Sequence, residues 1–142
     1  MVGIVLGCGF KPKAGWVNYD ISPQFDFVKK LDLEKDSFPH EDNSIDYIEA
    51  IDVLEHLHDL RNCLNESWRV LKREGVFYLE VPKFPHPDSV KDPTHVRFFV
   101  AETFKYFSEY EKSYTLYDFK PWNIVGIQEE ENRLEVRMTP RK

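Results

Sequence analysis

Three carboxylates stand at the ends of successive apolar runs in the first half of the sequence: Asp20, Asp32 and Asp52. If each run is a parallel strand, these side chains meet at one edge of the sheet, beyond the carboxyl ends of the strands, where open α/β sheets bind their ligands. A carboxylate at the end of the second strand can accept hydrogen bonds from both hydroxyls of a ribose. The pattern therefore predicts a ligand site at this edge.

Two glycines follow the first apolar run. Gly7 and Gly9 have no Cβ, so the backbone can turn sharply there and approach a ligand closely. A dinucleotide fingerprint would need a third glycine where Pro12 stands, and this speaks against an NAD-dependent oxidoreductase.

The pattern of apolar residues predicts the elements that position these groups. Five runs predict strands, at residues 2–6, 16–20, 27–31, 44–51 and 76–81. Residues 59–72 have apolar side chains at helical spacing and stop before Gly75, which predicts an amphipathic helix with a C-terminal glycine. A proline-rich loop at 82–93, a helix at 101–110 and a hairpin of 114–128 with 133–139 complete the prediction.

Strands that alternate with helices and end in a hairpin predict an α/β fold. We expect a Rossmann-like, doubly wound, mostly parallel sheet with a C-terminal antiparallel hairpin, in a single domain over residues 1–142. Between Leu6 and Val17 there is barely the roughly dozen residues that a parallel crossover requires. The N-terminal crossover helices are therefore expected to be reduced to loops or single turns.

Composition narrows the class of protein. The formal net charge of -6 makes non-specific binding to nucleic acid an unlikely function, since such binding depends on neutralising phosphates. Only two cysteines are present, which favours a reducing, cytoplasmic setting. No apolar stretch approaches the roughly 20 residues that span a bilayer, so we expect no membrane insertion.

Several motifs in their order resemble class I S-adenosylmethionine-dependent methyltransferases of a small, type 11-like kind. They are LGCG at 6–9, GWVNYDIS at 15–22, DL at 32–33, FP at 38–39, DNSID at 42–46, VLEHL at 53–57 and WRVLKREG at 68–75. The resemblance covers about the first two-thirds of the chain, and the ordered set is far more specific than any one motif.

The resemblance implies S-adenosylmethionine as the cofactor and methyl transfer to an acceptor that the sequence does not identify. It places the cofactor against Leu6, Gly7, Cys8, Gly9, Asp20, Ile21, Asp32, Leu33, Ile51, Asp52 and His56. In this arrangement residues 7–9 contact the methionine and ribose part, Asp20 binds the ribose hydroxyls, and Asp32 with Leu33 lies at the adenine. Val5 and Leu6 stand where family members usually have an acidic residue, which leaves the methionine amine without a predicted contact. A non-catalytic module that keeps the cofactor fold is the alternative.

Two histidines are candidate bases for the methyl acceptor, His56 and His95. His56 equally fits a role as a residue that lines the cofactor pocket. The segment after the fifth strand contributes Lys83, His95 and Arg97 as candidate acceptor-binding residues, with Arg97 able to bind a carboxylate or phosphate. A turn that Phe98 and Phe99 tether to the surface explains the same segment without any chemistry.

The spacing of two other polar pairs predicts structure and not chemistry. Asp52 and Glu55 have the spacing of a capping box, and we favour helix initiation over a catalytic role for both. His56 and His58 would point to different helix faces, and the other histidines lack metal-ligand spacing, so we expect no metal site.

One face of the predicted sheet lacks its usual cover of helices. Tyr47 and Glu49 share that side of the fourth strand, and Tyr78 and Glu80 share it on the fifth. A face of this mixed character is typical of a subunit interface, and we expect a symmetric homodimer.

Overall fold

A computed structural model describes residues 1–142. Its strands are β1 Gly3–Leu6, β2 Val17–Asp20, β3 Lys29–Lys30, β4 Ile45–Ile51, β5 Leu71–Pro82, β6 Trp122–Glu129 and β7 Arg133–Pro140. Its α-helices are α1 Arg61–Val70, α2 Pro87–Val90 and α3 Glu111–Leu116, and 3₁₀ helices span Leu54–His56 and Ala101–Phe107. None of these helices combines the length and the apolar character needed to cross a membrane.

The seven strands form one mixed sheet in the order β3-β2-β1-β4-β5-β7-β6. Neighbours from β3 to β5 pair in parallel, and β7 pairs antiparallel with both β5 and β6. The chain order reverses between β1 and β4, which creates a crevice at the carboxyl ends of these two strands. The predicted α/β class with a C-terminal antiparallel hairpin is confirmed.

No helix connects β1, β2, β3 and β4, so the predicted loss of the N-terminal crossover helices is also confirmed. One face of the sheet packs with the helices into a core cluster of 26 buried residues, in which Ile48 and Phe77 of the sheet meet Leu64 of α1 and Phe104. The other face has a small cluster of Val5, Cys8 and Val28, with Trp16 packed against it. The apolar residues that the helices bury all belong to the larger cluster, which leaves the second face without a helical cover.

The prediction that Gly75 ends the first long helix is wrong. Helix α1 ends at Val70, the chain continues directly into β5, and Gly75 lies within that strand. A Cβ on Gly75 would come within 2.8 Å of Leu71 Cδ2 and 3.0 Å of the Ile45 carbonyl oxygen, next to a shift in the register of β4 and β5. The glycine therefore serves close strand packing and not a helix terminus.

The predicted start of the hairpin is also wrong, because Tyr114 lies in α3 and β6 begins at Trp122. The Asn65 side chain of α1 explains the late start. It donates a hydrogen bond to the Asp118 carbonyl (2.8 Å) and accepts one from the Lys120 amide (2.9 Å), which holds this segment away from β7.

Two further elements depart from the predicted boundaries. The predicted helix at 101–110 is a 3₁₀ helix over Ala101–Phe107, and the predicted loop at 82–93 contains α2. The His86 ring caps α2, since its Nδ1 accepts a hydrogen bond from the Asp88 amide at 3.0 Å.

Candidate functional site

The carboxyl ends of β1 to β4 surround a cleft of about 320 Å³, within the size range of small-molecule sites. Its lining residues are Gly7, Asp20, Ile21, Leu31, Asp32, Leu33, Glu34, Asp52, Val53, His56 and Leu57. Four of them are carboxylates, and none is a lysine or arginine. The cleft therefore favours a ligand that is neutral or positively charged.

Gly7 and Asp52 form the floor of the cleft with backbones of positive φ, at 67° and 55°. A Cβ on Gly7 would lie 2.5 Å from Val53 Cγ2, so only glycine fits between β1 and the turn after β4. Asp52 is held in its unusual conformation by an amide hydrogen bond to the Glu80 carbonyl (3.0 Å) and by a pair between its carboxylate and Arg133 (3.0 Å). Aspartate is one of the few non-glycine residues that readily adopt this conformation, and the two contacts hold it there.

The Asp20 carboxylate is oriented by two backbone amides. Oδ2 accepts a hydrogen bond from Gly9 at 2.8 Å, and Oδ1 accepts one from Ser22 at 2.9 Å. Each carboxylate oxygen has a second lone pair, so the group can still accept from two ligand hydroxyls.

Asp32 stands across the cleft from Asp20, in a turn that its own side chain stabilises. Its Oδ1 accepts a hydrogen bond from the Glu34 amide (2.9 Å), and its amide donates to Asp36 Oδ2 (2.8 Å). The side chain of the neighbouring Leu33 is buried and presents an apolar surface to the cleft. A polar edge beside an apolar wall suits a heteroaromatic base.

A second hollow, of about 170 Å³, adjoins the first at Gly7 and Asp52. Cys8 and Ile51 line it, together with Glu49, which pairs with Lys13 at 3.1 Å. Burial, assisted by the charge of Asp20, raises the pKa of the Cys8 thiol, so this thiol is no nucleophile at neutral pH.

The structure brings nine of the eleven predicted cofactor residues into these two hollows. Leu6 is instead fully buried in the core and supports the turn from below. Gly9 lines neither hollow, and its contribution is the amide bond to Asp20.

The predicted capping box of Asp52 and Glu55 is wrong. The residue that caps the 3₁₀ helix is Val53, and no side chain makes a capping hydrogen bond there. The Glu55 carboxylate is 1% exposed and has no hydrogen-bond partner for either oxygen. Burial raises the pKa of Glu55 to about 7, with a smaller contribution from the charge of Asp52.

The loop after β5 places His95 beside His56. The two rings are 4.8 Å apart between centroids and nearly perpendicular, and the Glu55 carbonyl holds the loop by accepting a hydrogen bond from the Val96 amide at 2.9 Å. His56 also lines the cofactor cleft, so His95 lies at its edge. The tether interpretation is right for Phe99, which is buried against Phe104, whereas Phe98 is exposed.

Lys83 and Arg97 are not brought to the cleft. The Lys83 ammonium lies 3.6 Å from Glu129, beside the turn of the hairpin. The Arg97 guanidinium donates hydrogen bonds to the carbonyls of Leu57 (2.7 Å) and His58, and it lines a separate hollow with residues of α1 and α3.

Sequence reasoning missed seven residues of the two hollows: Val5, Lys11, Leu31, Glu34, Glu49, Val53 and Leu57. A signal existed for Glu49, which precedes Ile51 by two residues and therefore points to the same side of β4. Glu34 had none, because the turn that places it is built by the side chain of Asp32.

Comparison with known proteins agrees with this geometry. A family model described as a methyltransferase domain matches residues 11–79. The YcgJ protein of Bacillus subtilis, an uncharacterized methyltransferase, is 32% identical over 100 residues, a match that spans 63% of this chain and 39% of that protein. This chain therefore matches only about two fifths of the length of that curated relative.

Solved structures extend the similarity to nearly the whole fold. The YcgJ structure superposes with a TM-score of 0.67 over 99% of this chain and 92% of the other, at 14% identity. A chain of the complex between the Haloferax volcanii Trm112 methyltransferase activator and a methyltransferase superposes with a TM-score of 0.68. The match covers 99% of this chain and 83% of the other, at 13% identity. An S-adenosylmethionine-dependent methyltransferase of Aquifex aeolicus superposes with a TM-score of 0.65. The match covers 99% of this chain and 82% of the other, at 17% identity. These matches confirm the fold that the sequence predicted.

Proposed function

We propose that the chain is a class I S-adenosylmethionine-dependent methyltransferase, which binds S-adenosylmethionine in the cleft and transfers its methyl group to an acceptor. The observation that carries the proposal is the acidic cleft, with Asp20, Asp32 and Asp52 at the strand ends and no basic residue in its lining. S-adenosylmethionine has a sulfonium and an ammonium charge, which such a cleft favours. The pyrophosphate of NAD would be repelled there.

Each part of the cleft has a role in this proposal. Asp20 accepts hydrogen bonds from the ribose hydroxyls, and Asp32 with Leu33 binds the adenine. The second hollow takes the methionine end, where Glu49 and Asp52 supply the carboxylates for its amine. This gives the amine a contact that the end of the first strand lacks.

When bound, S-adenosylmethionine would supply an electrophilic methyl group. An acceptor oxygen or nitrogen would attack the methyl carbon in line as the bond to sulfur breaks, and S-adenosylhomocysteine would leave. Much of the acceleration in such a reaction comes from alignment and from exclusion of water. His56 or His95 takes the proton that the acceptor loses, since both imidazoles lie at the edge of the cleft. Lys83 and Arg97 remain predictions for acceptor binding outside it.

The uncovered face of the sheet supports the further proposal of a homodimer. Its polar side chains are satisfied within the chain, since Lys13 pairs with Glu49 and the Tyr78 hydroxyl donates to Glu80 at 2.5 Å. Ile51 and Val125 are exposed apolar side chains at 41% and 62%. The chain acts in this proposal as a single domain over residues 1–142.

Titration calorimetry tests the cofactor. S-adenosylmethionine and S-adenosylhomocysteine should bind the wild-type chain, and NAD should not. Formation of S-adenosylhomocysteine with pools of candidate acceptors then tests catalysis, with Asp20→Ala as the blank. Tight cofactor binding without turnover on any pool would favour the non-catalytic module, and binding of NAD alone would overturn the proposal.

A further inference from the structure

Three potential ligand side chains, Glu55, His56 and His95, converge beside the cofactor cleft. One donor atom from each lies within 4.8 Å of the others. Glu55 Oε1 and His56 Nε2 are 3.9 Å apart. The sequence spacing, which included His95, predicted no metal site. The tertiary structure brings His95 beside His56 from the loop after β5.

The Glu55 carboxylate is buried without a hydrogen-bond partner. Its side chain is 1% exposed, and neither oxygen accepts a hydrogen bond. Buried carboxylates in proteins are normally paired, hydrogen-bonded or bound to a metal. Two imidazoles, those of His56 and His95, lie within 4.8 Å of the Glu55 carboxylate.

Both imidazoles have the same nitrogen free. His95 Nδ1 lies 2.9 Å from the Ser89 carbonyl oxygen, which can only accept, so this nitrogen carries the proton and Nε2 keeps its lone pair. The Thr94 hydroxyl donates to Asp92 Oδ1 at 2.7 Å, so its oxygen accepts a hydrogen bond from His56 Nδ1 at 3.0 Å. The two Nε2 atoms are therefore both available as donors to a metal.

We propose that Glu55, His56 and His95 bind a divalent transition-metal ion of the zinc class. Imidazole nitrogens with one carboxylate are a common ligand set for such ions. Metal-ligating histidines usually donate their other ring nitrogen to a carbonyl or a carboxylate-linked group, as Ser89 and Thr94 provide here. The nearby carboxylate of Asp92, 3.6 Å from His95 Nε2, adds negative charge that favours a cation.

Binding needs a short closing movement. Ligands about 2.1 Å from a tetrahedral ion lie about 3.4 Å apart, so the three donor atoms must approach one another by roughly 1 Å. The His56 side chain is 37% exposed and can make this movement. His56 also lines the cleft, so an ion bound here would lie beside it and could lower the pKa of an acceptor hydroxyl. Metal binding and base catalysis by the same imidazoles exclude each other.

Zinc binding to the metal-free, full-length chain tests the proposal without any use of activity. Titration calorimetry of chelator-treated protein should show one Zn²⁺ per chain, and His95→Ala and Glu55→Gln should each weaken binding at least tenfold. His58→Ala is the matched control, because this imidazole is 78% exposed and lies outside the cluster. Equal weakening by His58→Ala, or no saturable binding to the wild-type chain, overturns the proposal.

A spectroscopic measurement guards against variants that fail to fold. The wild-type chain with Co²⁺ should show the visible absorption bands of a four- or five-coordinate ion, and added Zn²⁺ should abolish them. Only the spectrum of hexa-aqua cobalt would contradict the site. Because S-adenosylmethionine affinity is measured separately, failure of the metal site leaves the proposed methyltransferase function intact, and the reverse is also true.

Discussion

The Gly9 amide donates a hydrogen bond to Asp20 Oδ2 at 2.8 Å, which joins the turn after β1 to the carboxylate at the end of β2. A Cβ on Gly9 would meet no atom within 4 Å. The bond therefore orients the Asp20 carboxylate and leaves the space above the turn open for a ligand.

Asp20→Ala should weaken S-adenosylmethionine binding by about 2 to 4 kcal/mol, because two hydrogen bonds to a charged group are lost. Titration calorimetry measures the change, and circular dichroism should show an intact fold. Asp26→Ala removes an exposed carboxylate from the neighbouring loop and should bind as the wild type does. Unchanged affinity in Asp20→Ala would refute the assignment of the ribose site.

Gly9→Val should also weaken cofactor binding while the fold stays intact, since its side chain enters the open space above the turn. Gly15→Val is the matched control. Gly15 also has a positive φ, of 80°, and open space around it, but unlike Gly9 it does not donate its amide to the cleft residue Asp20. Equal losses of affinity in the two variants would mean that backbone strain, and not the cofactor space, explains the effect.

Gly7→Ala should lower the free energy of unfolding by about 3 kcal/mol, because it combines backbone strain with a clash against Val53 Cγ2. Gly15→Ala has the strain without the clash and should cost about 1 kcal/mol. Urea denaturation measures both variants. In the double variant Gly7→Ala/Val53→Ala, the loss of unfolding free energy should be smaller than the sum of the two single losses, because the methyl group that causes the clash is gone. A loss equal to that sum would argue against the contact.

Stability should fall between pH 4.5 and about 7 through Glu55. Burial raises the pKa of this carboxyl in the folded state from 4.5 to about 7, so the folded state holds the proton more tightly than the unfolded state. The stabilisation is fully present below the unfolded pKa and is lost as pH rises through the folded pKa, a loss of about 3 kcal/mol. Urea denaturation of the metal-free protein across this range measures it.

Glu55→Gln should flatten that part of the stability profile, because the amide does not titrate. Glu131→Gln, at an exposed turn, should keep the wild-type profile. If wild type and Glu55→Gln run parallel with pH, Glu55 ionises as freely in the folded state as in the unfolded state.

The loop after β5 should act on the acceptor and not on the cofactor. His95→Ala should lower turnover about 100-fold or more, and Arg97→Ala should lower it less, while cofactor affinity stays within about twofold. Lys91→Ala is the control, since its ammonium pairs only with Asp88 on the surface of the loop. Kinetics on the acceptor that the screen identifies, with calorimetry of the cofactor, separates the two roles. A proportional loss of both would make the loop a lid over the cofactor.

The uncovered sheet face should associate two copies of the chain. Sedimentation equilibrium at micromolar concentration should give the mass of a dimer. Val125→Lys should shift the equilibrium toward monomer, because a charge replaces an apolar side chain that is 62% exposed and lies outside both hollows. A stable monomer of the wild-type chain would mean that Trp16 and the polar pairs of this face cover it sufficiently.

The sequence by itself determined the parallel half of the sheet and most of the cofactor cleft. Short apolar runs that end in glycine or aspartate are local signals, and parallel strands bring their carboxyl ends to one edge whatever the rest of the chain does. For the same reason Gly7, Asp20 and Asp32 could be placed before any contact was known. The connections from β1 to β2 and from β2 to β3 are too short for full crossover helices, so chain length alone predicted their loss.

Tertiary structure decided what depends on a partner distant in the chain. The capping interpretation of Glu55 was local and wrong, because burial under the loop that brings His95 leaves its carboxylate without a hydrogen bond. The Arg97 guanidinium donates hydrogen bonds to the carbonyls of Leu57 and His58, a placement that its charge alone did not predict. The sequence gives the chemistry of each side chain. Which side chains a long loop brings together depends on packing between segments about 40 residues apart, and no local sequence pattern predicts that packing.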